Sequence, residues 1–116
     1  MTTTYNAWLN ENTALPGVLA SGVRYADKSV FTRTFKAGFN PAALDRAWQL
    51  MAEAFTLLKQ QKLPAVRLRW IFEQAVIQCM MRSDGVCLCV VTAPEPGAPK
   101  AEALNRVFAD FQMMWV

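Results

Sequence analysis

The stretch Asn40–Gln61, NPAALDRAWQLMAEAFTLLKQQ, decides how this chain folds. Its large residues recur at helical spacing, Leu44, Trp48, Met51, Phe55 and Leu58, and a second row of Ala43, Ala47, Leu50, Ala54 and Leu57 runs beside them. Asn40 is the expected N-cap and Pro41 the first helical residue, where its missing N–H costs nothing; Pro64 marks the stop. The polar side holds Asp45, Gln49, Glu53, Thr56 and Gln60. A helix that buries one face needs only one apolar row. The first row here is satisfied by a sheet from the same chain, and the small-residue row beside it calls for a second copy of the helix. Each large side chain left bare would forgo about 1.5–3 kcal/mol of burial.

Outward from this helix, the upstream pattern predicts a short helix over about 4–12, with Tyr5, Trp8 and Leu9 on one side. Leu15-Pro16-Gly17 breaks it, and strands are expected at Val18–Tyr25 and Ser29–Phe35 around a tight turn, with Lys28 where Gly would suit better. Downstream, from Ala65 to Ala93, the period changes from 3.6 to 2. Three strands are expected, joined by two-residue loops at Gln74-Ala75 and Asp84-Gly85. Those loops set a register in which Trp70 pairs with Cys79, Leu68 with Met81, Phe72 with Ile77, Arg82 with Cys87, Met80 with Cys89 and Gln78 with Val91. One face then carries Leu68, Trp70, Ile77, Cys79, Leu88 and Val90. The other carries Arg67, Arg69, Ile71, Arg82, Cys87 and Cys89. A Pro-rich linker, Pro94 to Pro99, leads to a last helix striped by Leu104, Val107, Phe108, Phe111 and Trp115.

The 116 residues read as a single domain, 1–116, of α/β (α+β) class with the order α-β-β-α-β-β-β-α. Hydrophobic content of 53% against 18% charged residues is high for a small domain and favours an interface. The absence of His removes the commonest general base and metal ligand, and no paired carboxylates or nucleophile constellation replace it. No enzyme activity, metal site or cofactor is therefore expected. Three Cys without a Cys-x-x-Cys spacing read as reduced structural thiols, with Cys79 on the face opposite Cys87 and Cys89. A net charge of +3 without a basic run, and arginines with no interleaved aromatics, argue against nucleic acid. No apolar stretch is long enough to span a membrane and no signal sequence is recognisable, so a cytoplasmic location is expected.

The order of elements, with Leu15-Pro16-Gly17-Val18 leading into the first strand, Asp27 at the first turn, the 40–61 helix and Ser83-Asp84-Gly85-Val86-Cys87-Leu88 leading into the last strand, resembles the roadblock/LC7 family. The resemblance implies a profilin-like five-stranded antiparallel sheet flanked by helices, and no active site. It also implies dimerisation through the central helix and the strand that follows it. The expected self-interface is Ala43, Ala47, Leu50, Ala54 and Leu57 with Arg67, Arg69 and Ile71 of the adjoining strand. Bacterial members of such a family regulate small Ras-like GTPases, which makes one the expected partner. The alternative is a ligand- or peptide-binding module, secretion-chaperone-like or sensor-like, that engages an acidic segment through Arg67, Arg69 and Arg82.

Overall fold

The computed structural model describes residues 2–114. Its elements are α1 (Thr2–Asn12), β1 (Val18–Arg24), β2 (Val30–Thr34), α2 (Pro41–Gln60), β3 (Arg67–Ile71), β4 (Val76–Met81), β5 (Cys87–Thr92) and α3 (Ala101–Met113), in the order the sequence predicts. Trp115, expected on the last helix stripe, lies outside the described residues. The five strands form one antiparallel sheet in the order β2-β1-β5-β4-β3. The last strand of the sequence is thus its middle strand.

The two ends of α2 are built locally. The Asn40 side chain accepts the Ala42 N–H at 3.0 Å, as an N-cap should. At the other end Lys62 turns left-handed at φ 62°, and Leu63 N–H donates to Leu58 C=O at 2.8 Å while Lys62 N–H donates to Lys59 C=O at 3.0 Å. This is a Schellman closure with Lys in the place usually held by Gly, so the helix ends before Pro64 can stop it.

Both flanking hairpins use one turn. In the first, Lys28 N–H donates to Tyr25 C=O at 2.9 Å, Tyr25 N–H donates to Ser29 C=O at 2.8 Å, and Lys28 is left-handed at φ 73°. In the second, Gly85 N–H donates to Arg82 C=O at 3.0 Å, Arg82 N–H to Val86 C=O at 2.9 Å, and Gly85 sits at φ 88°. Asp27 accepts Ser29 N–H and Asp84 accepts Val86 N–H, at 2.9 and 3.1 Å. These are three-residue loops, a type I turn closed by one left-handed residue.

The expected two-residue Asp84-Gly85 loop is therefore wrong by one residue. Met81 pairs with Cys87, Met80 with Leu88 and Cys79 with Cys89, instead of Arg82 with Cys87 and Met80 with Cys89. An odd shift turns every β5 side chain to the other face. Leu88 and Val90 leave the face of Cys79, and Cys87 and Cys89 join it. The β3–β4 loop keeps its expected two residues but lies one position earlier, at Glu73-Gln74, with Phe72 N–H bonded to Ala75 C=O, so Trp70 pairs with Ile77 and Leu68 with Cys79. That shift is two residues, and the faces survive it.

The sheet has a helical layer on each side. Leu44, Trp48, Ala52 and Phe55 of α2 pack on Ala20, Cys79, Cys87, Cys89 and Val91. On the other side Tyr5 and Leu9 of α1 and Leu104, Val107, Phe108 and Phe111 of α3 cover Val18, Val23, Met80, Leu88 and Val90. Covered from both sides, β5 is buried at every residue, which is why it reads CLCVVT without alternation. Trp48 lies directly on β1: a Cβ at Gly22 would sit 2.0 Å from its Nε1, so only glycine admits the indole. Trp48 Nε1–H donates to Thr32 Oγ1 at 2.9 Å.

Candidate interaction surface

The polar flank of α2 is tied to the first hairpin. Thr32 donates to Asp45, Arg24 Nε–H donates to Gln49 Oε1 at 3.1 Å, and Gln49 Nε2–H donates to the Lys28 carbonyl at 2.5 Å. These bonds draw the helix toward β1 and β2 and turn its opposite flank toward β4 and β3. That opposite flank is the small-residue row. Leu50 is 59% exposed and Leu57 60%, Ala43 is exposed, and Ala47 and Ala54 are half-buried. The row is not consumed within the chain. Its spacing alternates four and three residues, the seam of two helices packed side by side.

Beside the row the sheet is only partly covered. Leu68, Trp70 and Ile77, on the α2 side of β3 and β4, remain half-buried, forming an apolar shelf under the overhanging helix flank. β3 is an edge strand. Met81 N–H donates to Val66 C=O and Phe72 N–H to Ala75 C=O, so alternation leaves the backbone groups of Arg67, Arg69 and Ile71 facing away from β4. Ile71 is 71% exposed. A row of apolar helix residues, an apolar shelf and an unpaired strand edge thus adjoin on one side of the molecule.

The three arginines singled out from the sequence do not form an open face, because α1 and α3 cover that side of the sheet. The Arg67 guanidinium lies 4.1 Å from the Phe108 ring centre and donates to Asn105 at 3.0 Å and Gln78 at 2.6 Å. Arg82 donates to the Phe111 carbonyl at 2.9 Å, at the C-terminal end of α3, and pairs with Asp84 at 3.2 Å. A cation there complements the helix dipole. Arg69 alone is exposed. The sequence shows the charges but not the aromatic rings that come to lie on them.

The thiols overturn a second expectation. Cys79 does not face away from Cys87 and Cys89; with β5 turned over, all three converge, fully buried, beneath α2. Cys79 Sγ is 3.0 Å from Cys89 Sγ and 3.5 Å from Met51 Sδ, and Cys87 Sγ is 3.9 Å from Cys89 Sγ. Burial pushes the Cys79 and Cys89 thiols well above their usual pKa and keeps them protonated. They pack as small hydrophobes. Among the described residues no group of His, Cys, Asp or Glu has the arrangement of a metal site, and no helix is long and apolar enough to cross a membrane.

Two features escaped the sequence. One is the partial exposure of the shelf, which follows from the Asp45 and Gln49 bonds that pull α2 to one side; the four-residue spacing of those two polar residues is the available signal. Arg24, half-buried and bonded to Gln49, carried no sequence signal at all.

No protein-family model matches the sequence, and no curated protein matches it. Solved structures do. A roadblock/LC7 domain from Streptomyces avermitilis superposes with a TM-score of 0.68 at 16% identity, over 90% of this chain and 89% of that one. MglB of Myxococcus xanthus gives 0.66 at 9% identity, over 95% and 93%. MglC of the same organism gives 0.50 at 16% identity, over 94% and 97%. With its element order, its five-stranded antiparallel sheet and these structural similarities, the chain has the roadblock/LC7 fold.

Proposed function

We propose that this chain is a cytoplasmic, non-enzymatic homodimeric scaffold that regulates a small Ras-like GTPase. The observation that carries the dimer is the exposed row Ala43, Ala47, Leu50, Ala54 and Leu57 beside the half-covered shelf and the free β3 edge. Two copies related by a two-fold axis would lay row against row. At the same time the outward backbone groups of Arg67, Arg69 and Ile71 would pair across the two edges and extend one sheet through both subunits. The free edge and the bare row are satisfied by the same contact, which is what favours it over either alone. The GTPase follows from the family the sequence resembles, and the similarity in fold to a roadblock/LC7 domain, MglB and MglC supports it. The reading in which Arg67, Arg69 and Arg82 together hold an acidic segment loses its support, because two of the three are engaged within the chain.

The test is capture on the immobilised full chain from lysate of the source cells, charged with excess GTP analogue or GDP, with mass spectrometry of what is retained. A Ras-like GTPase enriched in one nucleotide state is the expected result. Equal or absent GTPase recovery in both states would remove the regulatory assignment and leave the dimer standing.

A further inference from the structure

Two adjoining cavities lie along the C-terminal half of α2, with volumes of about 410 and 420 Å³. Both are lined by Arg24 and Thr56, so they form one groove. The first has apolar walls of Phe55, Val66 and Met81 with Lys59 at its side. The second is bounded by Lys28, Gln49, Glu53 and Leu57. Three cations, Arg24, Lys28 and Lys59, stand against the single carboxylate Glu53. A fourth cation, Arg82, also lines the first cavity but is paired with Asp84, the one ion pair among the described residues.

Arg24 is half-buried; its Nε–H bond goes to the neutral Gln49 amide, and the exposed Asp27 carboxylate feels its charge without forming an ion pair with it. Lys28 is stranger. It occupies the left-handed position of its turn at φ 73°, where the matching turn at the other hairpin has Gly85. A non-glycine residue there costs about 1 kcal/mol of backbone strain. The exposed side chain recovers none of it through a hydrogen bond or ion pair within the described residues. Lys28 adds its exposed ammonium to the rim of a groove already rich in cations, and that charge imbalance points to a negatively charged occupant.

We propose that this groove docks an acidic, extended segment of a partner protein, one apolar side chain of which enters between Phe55, Val66 and Met81 while flanking carboxylates meet Arg24, Lys28 and Lys59. Apolar walls distinguish such a site from one for a bare anion, and the combined length of two cavities suits a peptide better than a single phosphate. The inference goes beyond the GTPase reading and needs neither a nucleotide nor the β3 edge.

The probe is a fluorescein-labelled nonapeptide of alternating Glu and Leu, compared with its Lys–Leu counterpart by fluorescence anisotropy on the full chain, with amide chemical shifts followed on addition of unlabelled peptide. The Glu–Leu peptide should bind and the Lys–Leu peptide should not. Shifts should cluster at Arg24, Thr56, Lys59 and Gly85, and raising salt from about 50 to about 500 mM should weaken binding. Lys28→Gly and Lys59→Gln should each weaken it roughly two- to fivefold, and Arg24→Gln by about tenfold. Lys28→Gly relieves strain, so its folding is assured even where Arg24→Gln disturbs the Gln49 bond. Three results would overturn the proposal: unchanged affinity in the lysine variants, shifts centred on Arg69 or on Ala43, Ala47 and Leu50 of the α2 row, or full displacement by inorganic phosphate. None of these bears on nucleotide-dependent GTPase capture, so the two readings fail separately.

Discussion

Replacing Leu50 by arginine separates the two ways of using α2. Leu50 is the third of the five row residues, so in a two-fold dimer that lays row on row it lies close to its own copy. Full burial of a leucine side chain stabilises by about 1.5–3 kcal/mol. With 59% of Leu50 exposed in one subunit, the contact is worth about 1–2 kcal/mol per copy and about 2–4 kcal/mol per dimer. Arginine removes that and sets two cations against each other. Leu50→Arg should therefore raise the dimer dissociation constant by a factor of about 30 to 1,000. The same exposure means the subunit's own core is untouched, so its circular dichroism should match the parent. Light scattering coupled to size exclusion over a dilution series reads the result directly, since a parent dimer would have twice the 13.0 kDa subunit mass. Glu53→Arg, exposed on another side of the same helix, is the control. A Leu50→Arg dimer with unchanged dissociation constant would refute the row as interface, and a monomeric parent would refute the dimer.

Further outcomes follow from single contacts. Gly22→Ala should destabilise the fold by about 3 kcal/mol in urea titration, because the new Cβ would meet the fully buried Trp48 indole at 2.0 Å and the indole has nowhere to go. Lys28→Gly should raise stability by no more than about 0.5 kcal/mol, the left-handed strain being offset in large part by the greater freedom of glycine in the unfolded chain. Tyr25, whose O–H donates to Asn6 Oδ1 at 2.7 Å, has its pKa pushed up to about 12, chiefly by burial. The folded state then holds that proton after the unfolded chain has released it near 10.0, so the stabilisation is complete below pH 10 and disappears between pH 10 and about 12. The urea midpoint should fall across that window, and Tyr25→Phe should make the fall shallower.

Much of the fold is legible where local chemistry and periodicity agree. Asn40, Pro41 and two apolar rows specify α2 without ambiguity, and the change from period 3.6 to 2 after Ala65 marks the meander. Register is harder to read. Asp-Gly supports a two-residue loop and a three-residue loop equally well, because both place Gly at positive φ, yet they differ by the one residue that turns a strand over. That ambiguity put Cys87 and Cys89 on the wrong face, and the thiol cluster under α2 was missed with it. Charges are harder still. Arg67, Arg69 and Arg82 are alike in sequence, and only the arrival of Phe108 and Phe111 from a distant helix decides which of them stays free. The groove around Arg24 depends on how far α2 leans, a quantity no sequence window contains.

The position of β5 has a consequence for how the chain is made. Cys87–Thr92 is the last strand to leave the ribosome, yet it belongs between β1 and β4. Until it emerges, the first hairpin and the β3–β4 pair are two separate half-sheets, each with an inner edge that has no neighbour. Nothing upstream can close the core on its own, so folding waits for contacts that span some seventy residues between β1 and β5. Such non-local closure is slow and leaves strand edges open to other nascent chains in the interval. A nascent chain stalled before Cys87 should therefore bind chaperones or aggregate, whereas one extended past Thr92 can complete its sheet in a single step.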